Sequence, residues 1–410
     1  MNAWSAALES QLQSLPRSLA LEWPGGKHGH GESAVRLKLR QRGLLLQLAR
    51  GRIGDLADAY VRGDLDIEGT LPDLMSVAGA LAGDPVRRGK RGAWGRWLAQ
   101  WVVSHTHRPD RAEQVRFHYD LSDDFYALWL DPMRVYSCAY YANTDLPLEE
   151  AQKAKLDLIC RKLQLARGQR FLDVGAGWGG LLVWAAMHYG VQATGLTLSC
   201  NQFNHVRRLI EALGLVGQVD VKLMDYRELA PSGGFDRIAS VGMFEHVGRA
   251  NLGPYFQTLC DLLRPGGLLL NHGIAAGGLD HDQLGAGMGD FIERHIFPGG
   301  ELVHVSRAAQ ALCRGGLELL DAENLRPHYA RTLWDWSNRL ESQLEAARSM
   351  TSEANLRAYR LYLAGSALCF ERGWLSLYQM LASKSDHRQE PERSWAACSD
   401  YPFTRNHMLG

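Results

Sequence analysis

No CxxC pair occurs in these 410 residues, and the seven cysteines are odd in number. That excludes a regular disulfide framework and a zinc knuckle, and it fits a reducing compartment. Net charge is absent too: 45 basic residues stand against 45 acidic ones, so overall charge gives no reason to expect a nucleic-acid partner. No run approaches the roughly 18 apolar residues of a membrane span. The opening MNAWSAALESQLQSLPRSL has neither the basic start nor the apolar core of a secretory signal. These absences predict a cytoplasmic protein with no metal site and no nucleic-acid partner, any membrane contact of which is peripheral and on the inner face. What is present is globular material, 46% hydrophobic, enough for two or three domains with separate cores.

Texture divides the chain into four stretches. Residues 1–85 mix strand-like alternation with glycine breaks and end in an apolar helix-like run, as a small N-terminal accessory domain would. Residues 86–116 carry eight Arg or Lys against Asp110 and Glu113. Within them Trp94, Trp97 and Trp101 share one helical face beside Arg87, Arg88, Lys90 and Arg91. That composition suits an interfacial helix on anionic lipid, and equally a linker or docking helix between domains. Residues 117–390 repeat strand, glycine turn and helix: RFLDV, GAGWGG and LLVWAAMHYG, then VQATGLTL and NQFNHVRRLIEALG, then FDRIASVG, LGPYFQTLCDLL and RPGGLLLNHGI. This alternation predicts an α/β, doubly wound, Rossmann-like domain with a parallel sheet, capped by two helices over 330–383. Residues 391–410 are a polar tail.

The turn DVGAGWG, from Asp173 to Gly179, lies between a strand and a helix, where glycines let backbone approach a nucleotide-like ligand closely. A purely structural tight turn would use the same residues. The spacing through Gly175 and Gly177 is GxGxG, not GxGxxG, and no basic residue stands ready for a pyrophosphate. Asp173 suits a ligand with a cationic amino group and a sulfonium, as S-adenosylmethionine has. Thr197 and Gln202, after the next strand, are placed to hydrogen-bond its sugar, while the usual ribose-binding carboxylate is missing there.

YSCAY at 136–140, DVGAGWGG, VGMFEHVG at 241–248 and HYARTL at 328–333 occur in one order, and through them the chain closely resembles the cyclopropane-fatty-acyl-phospholipid synthases and the related mycolic acid cyclopropane synthases and methyltransferases. The resemblance runs from about Phe117 to Ala382, strengthened by FHYDLSDDFY, GLTLS and IFPGGEL. More loosely, LADAYVRGDLDIEG resembles the accessory domain of the phospholipid-acting members. It implies an S-adenosylmethionine-dependent C-methyltransferase that acts on unsaturated acyl chains at a phospholipid bilayer surface, as a homodimer. It further implies that Tyr136, Ser137, Gly175, Gly177, Thr197, Leu198 and Gln202 contact S-adenosylmethionine. Bicarbonate would be held by Cys138, Glu245, His272, Ile274 and Tyr329. Ala176 stands where the family more often has Cys, a position expected to pack behind the turn.

An alkene is a poor nucleophile, so such a reaction needs the methyl group held against it in a dry pocket. Attack leaves a carbocation, and a proton must then be lost for a cyclopropane to close. Loss of a different proton, or a hydride shift, leaves a methyl or methylene branch instead, and the residues do not separate these products. Plainer readings exist for each residue: Cys138 as a small buried hydrophobe, His272 as a satisfied core histidine, Glu245 on a surface loop, Tyr329 as packing. A non-catalytic lipid-binding or S-adenosylmethionine-sensing protein would be expected to lose some of Cys138, Glu245, His272 and Tyr329, and all four are present.

Overall fold

The computed structural model describes residues 12–29, 32–86, 122–230, 234–279, 284–385 and 404–409. The basic tryptophan segment, with Arg87, Arg88, Lys90, Arg91, Trp94, Trp97 and Trp101, lies outside the described residues. Two compact units form: Met1–Pro109 with Asp280–Pro298 and Leu333–Trp374, and Asp110–Leu279 with Gly299–Thr332 and Leu375–Gly410. The sequence suggests a boundary at residue 85 and groups all the late helices with the catalytic domain. The compact units instead group 333–374 with the N-terminal residues, through side-chain contacts that no local pattern announces.

In the first unit, β1 (Leu19–Trp23), β2 (Gly26–His28), β3 (Val35–Leu39) and β4 (Leu65–Gly69) form a sheet in the order β2-β1-β3-β4. The alternation in β3 buries Val35, Leu37 and Leu39 and turns Arg36 and Lys38 outward to Glu68 on β4, as a half-covered strand requires. Helix Glu353–Glu371 belongs here because of two arginines. Arg357 donates to the Tyr60 carbonyl at 3.0 Å and to Asp66 at 3.1 Å, and Arg360 grips Glu341 through two bonds of 2.6 and 2.8 Å while also reaching the Tyr60 hydroxyl. Helix Met288–His295 meets helix Ile53–Arg62 at backbone contact, since a Cβ on Gly54 would strike the Gly287 carbonyl; Asp58 there pairs with Arg294 and His295.

The second unit holds a seven-stranded sheet built from β5 (Arg170–Val174), β6 (Gln192–Thr197), β7 (Val219–Leu223), β8 (Phe235–Val241), β9 (Leu263–Ala276), β10 (Glu318–Asn324) and β11 (Leu375–Ser383). Their order is β10-β11-β9-β8-β5-β6-β7. The five strands from β5 to β9 pair in parallel, as the sequence predicts, whereas β10 and β11 run antiparallel at one edge. LSLYQMLAS, expected to continue a cap helix, is β11. The helix before it ends at Glu371, Gly373 turns the chain with φ +70, and β11 then pairs with β9 from Leu375–Ala276 to Ser383–Leu268. A short apolar run buried on both faces has no period that separates strand from helix.

Along β5, Phe171 enters the core layer of Leu156, Ile159 and Leu182, and Leu172 and Val174 enter the opposite layer of Tyr255, Phe256 and Leu259. The chain winds from β5 to β6 and β7 on one side, then returns to β8 and β9 on the other. Open α/β sheets place ligand crevices at that reversal, beyond the carboxyl ends of the strands.

Candidate active site

A cleft opens at this reversal, and all eight residues expected to contact S-adenosylmethionine line it: Tyr136, Ser137, Asp173, Gly175, Gly177, Thr197, Leu198 and Gln202. Gly175 and Gly177 have φ +83 and +57, so the turn needs glycine, and a Cβ on Gly177 would meet nothing within 4 Å. That leaves backbone directly open to a ligand. Ala176 is buried with its Cβ packed toward Gly195 of β6, behind the turn as expected, while the residue also borders the cleft. Tyr136 belongs to an aromatic wall, its ring centroid 5.7 Å from Tyr126 and 5.2 Å from Trp129.

Polarity in the cleft is directional. Asp173 is buried, and burial raises its pKa to about 7 against the pull of Lys155. A cationic group arriving beside it would restore its charge. Thr197 and Gln202 bond to each other, the hydroxyl donating to Gln202 Oε1 at 2.7 Å. That pairing uses the Gln202 amide oxygen and leaves its NH₂ as the donor.

Two cleft residues were not legible as site residues. Lys155, buried on helix Leu148–Lys162, donates to Ser137 Oγ at 2.8 Å, and burial lowers its pKa to about 8. Its partner's own hydrogen is thereby turned elsewhere. Asp225 lines the cleft just after β7. Burial opposes its charge, but the hydrogen bonds from Arg227 prevail and hold its pKa below the usual range. Asp225 places a carboxylate in the cleft after β7, where none stands after β6; its position just after a parallel strand was the available signal.

Glu245, His272 and Ile274 lie at the ends of β8 and β9, and Cys138 and Tyr329 connect to them through Leu325 and β11. Because β8 stops at Val241, opposite His272, the Ile274 N–H projects past the last rung of the ladder. Glu245 Oε1 accepts it at 2.7 Å. That bond occupies the Ile274 backbone N–H. Ile274 pairs with Leu377 of β11, whose carbonyl accepts from Leu325 N at 2.9 Å. The Leu325 carbonyl in turn accepts from Tyr329 N at 3.1 Å and from Cys138 Sγ at 3.8 Å. Tyr329 and Cys138 are both buried.

Burial pushes the Cys138 thiol far above its ordinary pKa, so it is no nucleophile at neutral pH. Burial also raises Glu245 to about 7 and drives His272 well below its ordinary value. Two of these buried polar atoms, Glu245 Oε2 and His272 Nε2, have no hydrogen-bond partner among the described residues. Such atoms are costly unless something polar completes them. A small oxyanion fits this donor set: the histidine N–H and tyrosine O–H can donate to it, and a carboxyl near its pKa can donate or accept.

Comparison with known proteins agrees with this geometry. Residues 106–380 match the family described as mycolic acid cyclopropane synthetase. A probable fatty acid methyltransferase of Pseudomonas putida is 43% identical over 390 residues, covering 92% of this chain and 95% of its own. The solved cyclopropane synthase MmaA2 from Mycobacterium tuberculosis superposes with a TM-score of 0.64 at 37% identity, covering 67% of this chain and 99% of that one. Mycolic acid cyclopropane synthase CmaA1 complexed with SAH and CTAB gives 0.63 at 36% identity, covering 68% of this chain and 99% of that one. With the glycine cleft, the ordered motifs and this similarity in agreement, the chain belongs to the mycolic acid cyclopropane synthetase family of S-adenosylmethionine-dependent methyltransferases.

Proposed function

We propose that this protein transfers a methyl carbon from S-adenosylmethionine to the double bond of an unsaturated acyl chain in a membrane phospholipid, giving a cyclopropane, with bicarbonate bound beside the cleft. The observation that carries this reading is the pair of buried atoms, Glu245 Oε2 and His272 Nε2, that lack a hydrogen-bond partner among the described residues. Methyl transfer to carbon through a cation demands a proton acceptor close to the new methyl group, and an anion held by these atoms would supply it. When bound, S-adenosylmethionine supplies an electrophilic methyl and bicarbonate a base of low nucleophilicity.

The chain's own groups hold and orient. Asp173 faces the cationic end of the donor, and Ser137, accepting from Lys155, keeps its own hydrogen for a ligand acceptor. His272 and Tyr329 donate to the anion, while Glu245, with a pKa of about 7, accepts a hydroxyl hydrogen from it or donates one. Glu245→Gln fixes that group as a neutral amide. Turnover in this variant and in Tyr329→Phe falls at least about tenfold, and added bicarbonate restores it only in part. Unchanged turnover in both would remove the anion site.

The naming of the Pseudomonas putida relative as a probable fatty acid methyltransferase supports a second product, a methyl- or methylene-branched chain formed from the same cation. Mass spectrometry of phospholipid acyl chains after incubation with labelled S-adenosylmethionine decides. Gain of CH₂ with loss of the alkene identifies the ring, gain with the alkene kept identifies the branch, and no incorporation overturns the proposal.

The bilayer surface and a homodimer remain part of the proposal, with the basic tryptophan segment as the membrane contact. Among the described residues no helix is long and apolar enough to cross a membrane. Flotation on anionic vesicles should weaken in Trp97→Ser and Arg91→Glu, and unaltered binding would exclude the segment. Light scattering reads the assembly directly.

A further inference from the structure

Lys162, Gln379 and His272 form a buried line of side chains behind the proposed anion site, each almost wholly inaccessible. Lys162, ending helix Leu148–Lys162, is ion-paired with Glu323 on β10 and donates to Gln379 Oε1 at 2.7 Å. Gln379 on β11 stands opposite His272 on β9, its Nε2 3.1 Å from His272 Nδ1.

Hydrogen-bond directions follow by elimination. An ammonium only donates, so the amide oxygen must face Lys162, and the amide nitrogen, which also only donates, must face the imidazole. Nδ1 is then the nitrogen with the lone pair. Burial and the positive charges of Lys155 and Lys162 disfavour a second proton on the ring, so the single hydrogen sits on Nε2. Nε2 is the atom that lacks a partner among the described residues.

We propose that Gln379 and Lys162 are positioning residues that lock His272 as its Nε2–H tautomer, so that the ring presents a donor and never a lone pair to an oxyanion. The identity of that ligand rests on the function proposed above; the tautomer does not. In the opposite tautomer, a lone pair would face the anion's oxygens, exchanging attraction for repulsion in a low-dielectric site. The relay therefore selects ligands that accept at this point, as bicarbonate does.

The test uses the full chain labelled with ¹⁵N in its histidine rings, read by two-bond proton–nitrogen correlation, with the His272 signals identified by their loss in His272→Asn. The expected spectrum shows hydrogen on Nε2 and an acceptor-type Nδ1, unchanged between about pH 6 and 8. Gln379→Glu sets an acceptor against Nδ1 and moves hydrogen onto that nitrogen. The apparent KM for bicarbonate then rises about tenfold or more, as expected for losing a hydrogen bond to a charged group, while the Kd for S-adenosylmethionine is unchanged. If that variant fails to fold, Lys162→Met frees the amide to turn over and yields a mixture of tautomers. Hydrogen on Nδ1 in the wild type, or retention on Nε2 in Gln379→Glu, overturns the relay. The expected tautomers with bicarbonate-independent turnover support the relay and overturn the anion reading.

Discussion

Asp173 offers the sharpest test of how the cleft recognises its ligand. With a pKa of about 7 in the folded protein, it is half neutral at pH 7. A ligand with a cationic amino group binds the ionised form better, so binding releases a proton below that pH. Affinity is therefore full above about pH 8 and declines as pH falls through 7. For one group of pKa about 7, the apparent Kd scales as one plus the ratio of protonated to ionised forms, about 1.1 at pH 8 and about 11 at pH 6, a tenfold weakening. Lys155, with a pKa of about 8, begins to lose its charge only at the upper end of this window. Asp173→Asn removes the slope. It also weakens binding by about 10- to 100-fold, the range for a lost hydrogen bond to a charged group. Isothermal titration with S-adenosylmethionine at pH 6, 7 and 8, in buffers of different ionisation enthalpy, reads both affinity and proton release. Glu245 titrates in the same range, and any slope it contributes persists in Asp173→Asn. A flat Kd in the wild type, or an equal slope in the variant, would refute the reasoning.

Other expectations follow from backbone and packing. Gly177→Ala forces a side chain into the left-handed region at φ +57, costing about 1–2 kcal/mol, and sets a methyl into the open cleft; thermal melts and titration should show a modest loss of stability with a larger loss of S-adenosylmethionine affinity. In Gly273→Ala the new Cβ would collide with the buried Phe244 ring and press on Glu245 Oε1 at 3.2 Å. Turnover should collapse while S-adenosylmethionine binding survives, and an active variant would show that Glu245 need not stay where it is. Arg360→Met removes the double bond to Glu341 and the contact with Tyr60. Partial exposure moderates the cost to about 1–2 kcal/mol, measurable as a lower denaturation midpoint.

The sequence showed its parallel strands because each is a short apolar run between a glycine turn and an amphipathic helix, a local pattern. It failed at β11, whose partner β9 lies about a hundred residues earlier, and at the grouping of helix Glu353–Glu371 with the N-terminal sheet, which depends on Arg357 and Arg360 finding Tyr60, Asp66 and Glu341. The eight expected residues that line the cleft were legible because the glycine turn and strand ends are contiguous motifs. Lys155 and Asp225 were not, since a lysine in an amphipathic helix and an aspartate after a strand look like solvated residues until burial is known.

By itself, then, the sequence determined the doubly wound domain, the glycine turn and the residue types at the site, all set by spacing along the chain. Tertiary structure alone decided which atoms are already satisfied. Ile274 N–H is occupied by Glu245, Thr197 and Gln202 answer each other, and Glu245 Oε2 and His272 Nε2 lack partners among the described residues. The reason is physical: hydrogen bonds and the burial that shifts a pKa depend on distances between residues remote in sequence, and a linear pattern carries no such distances.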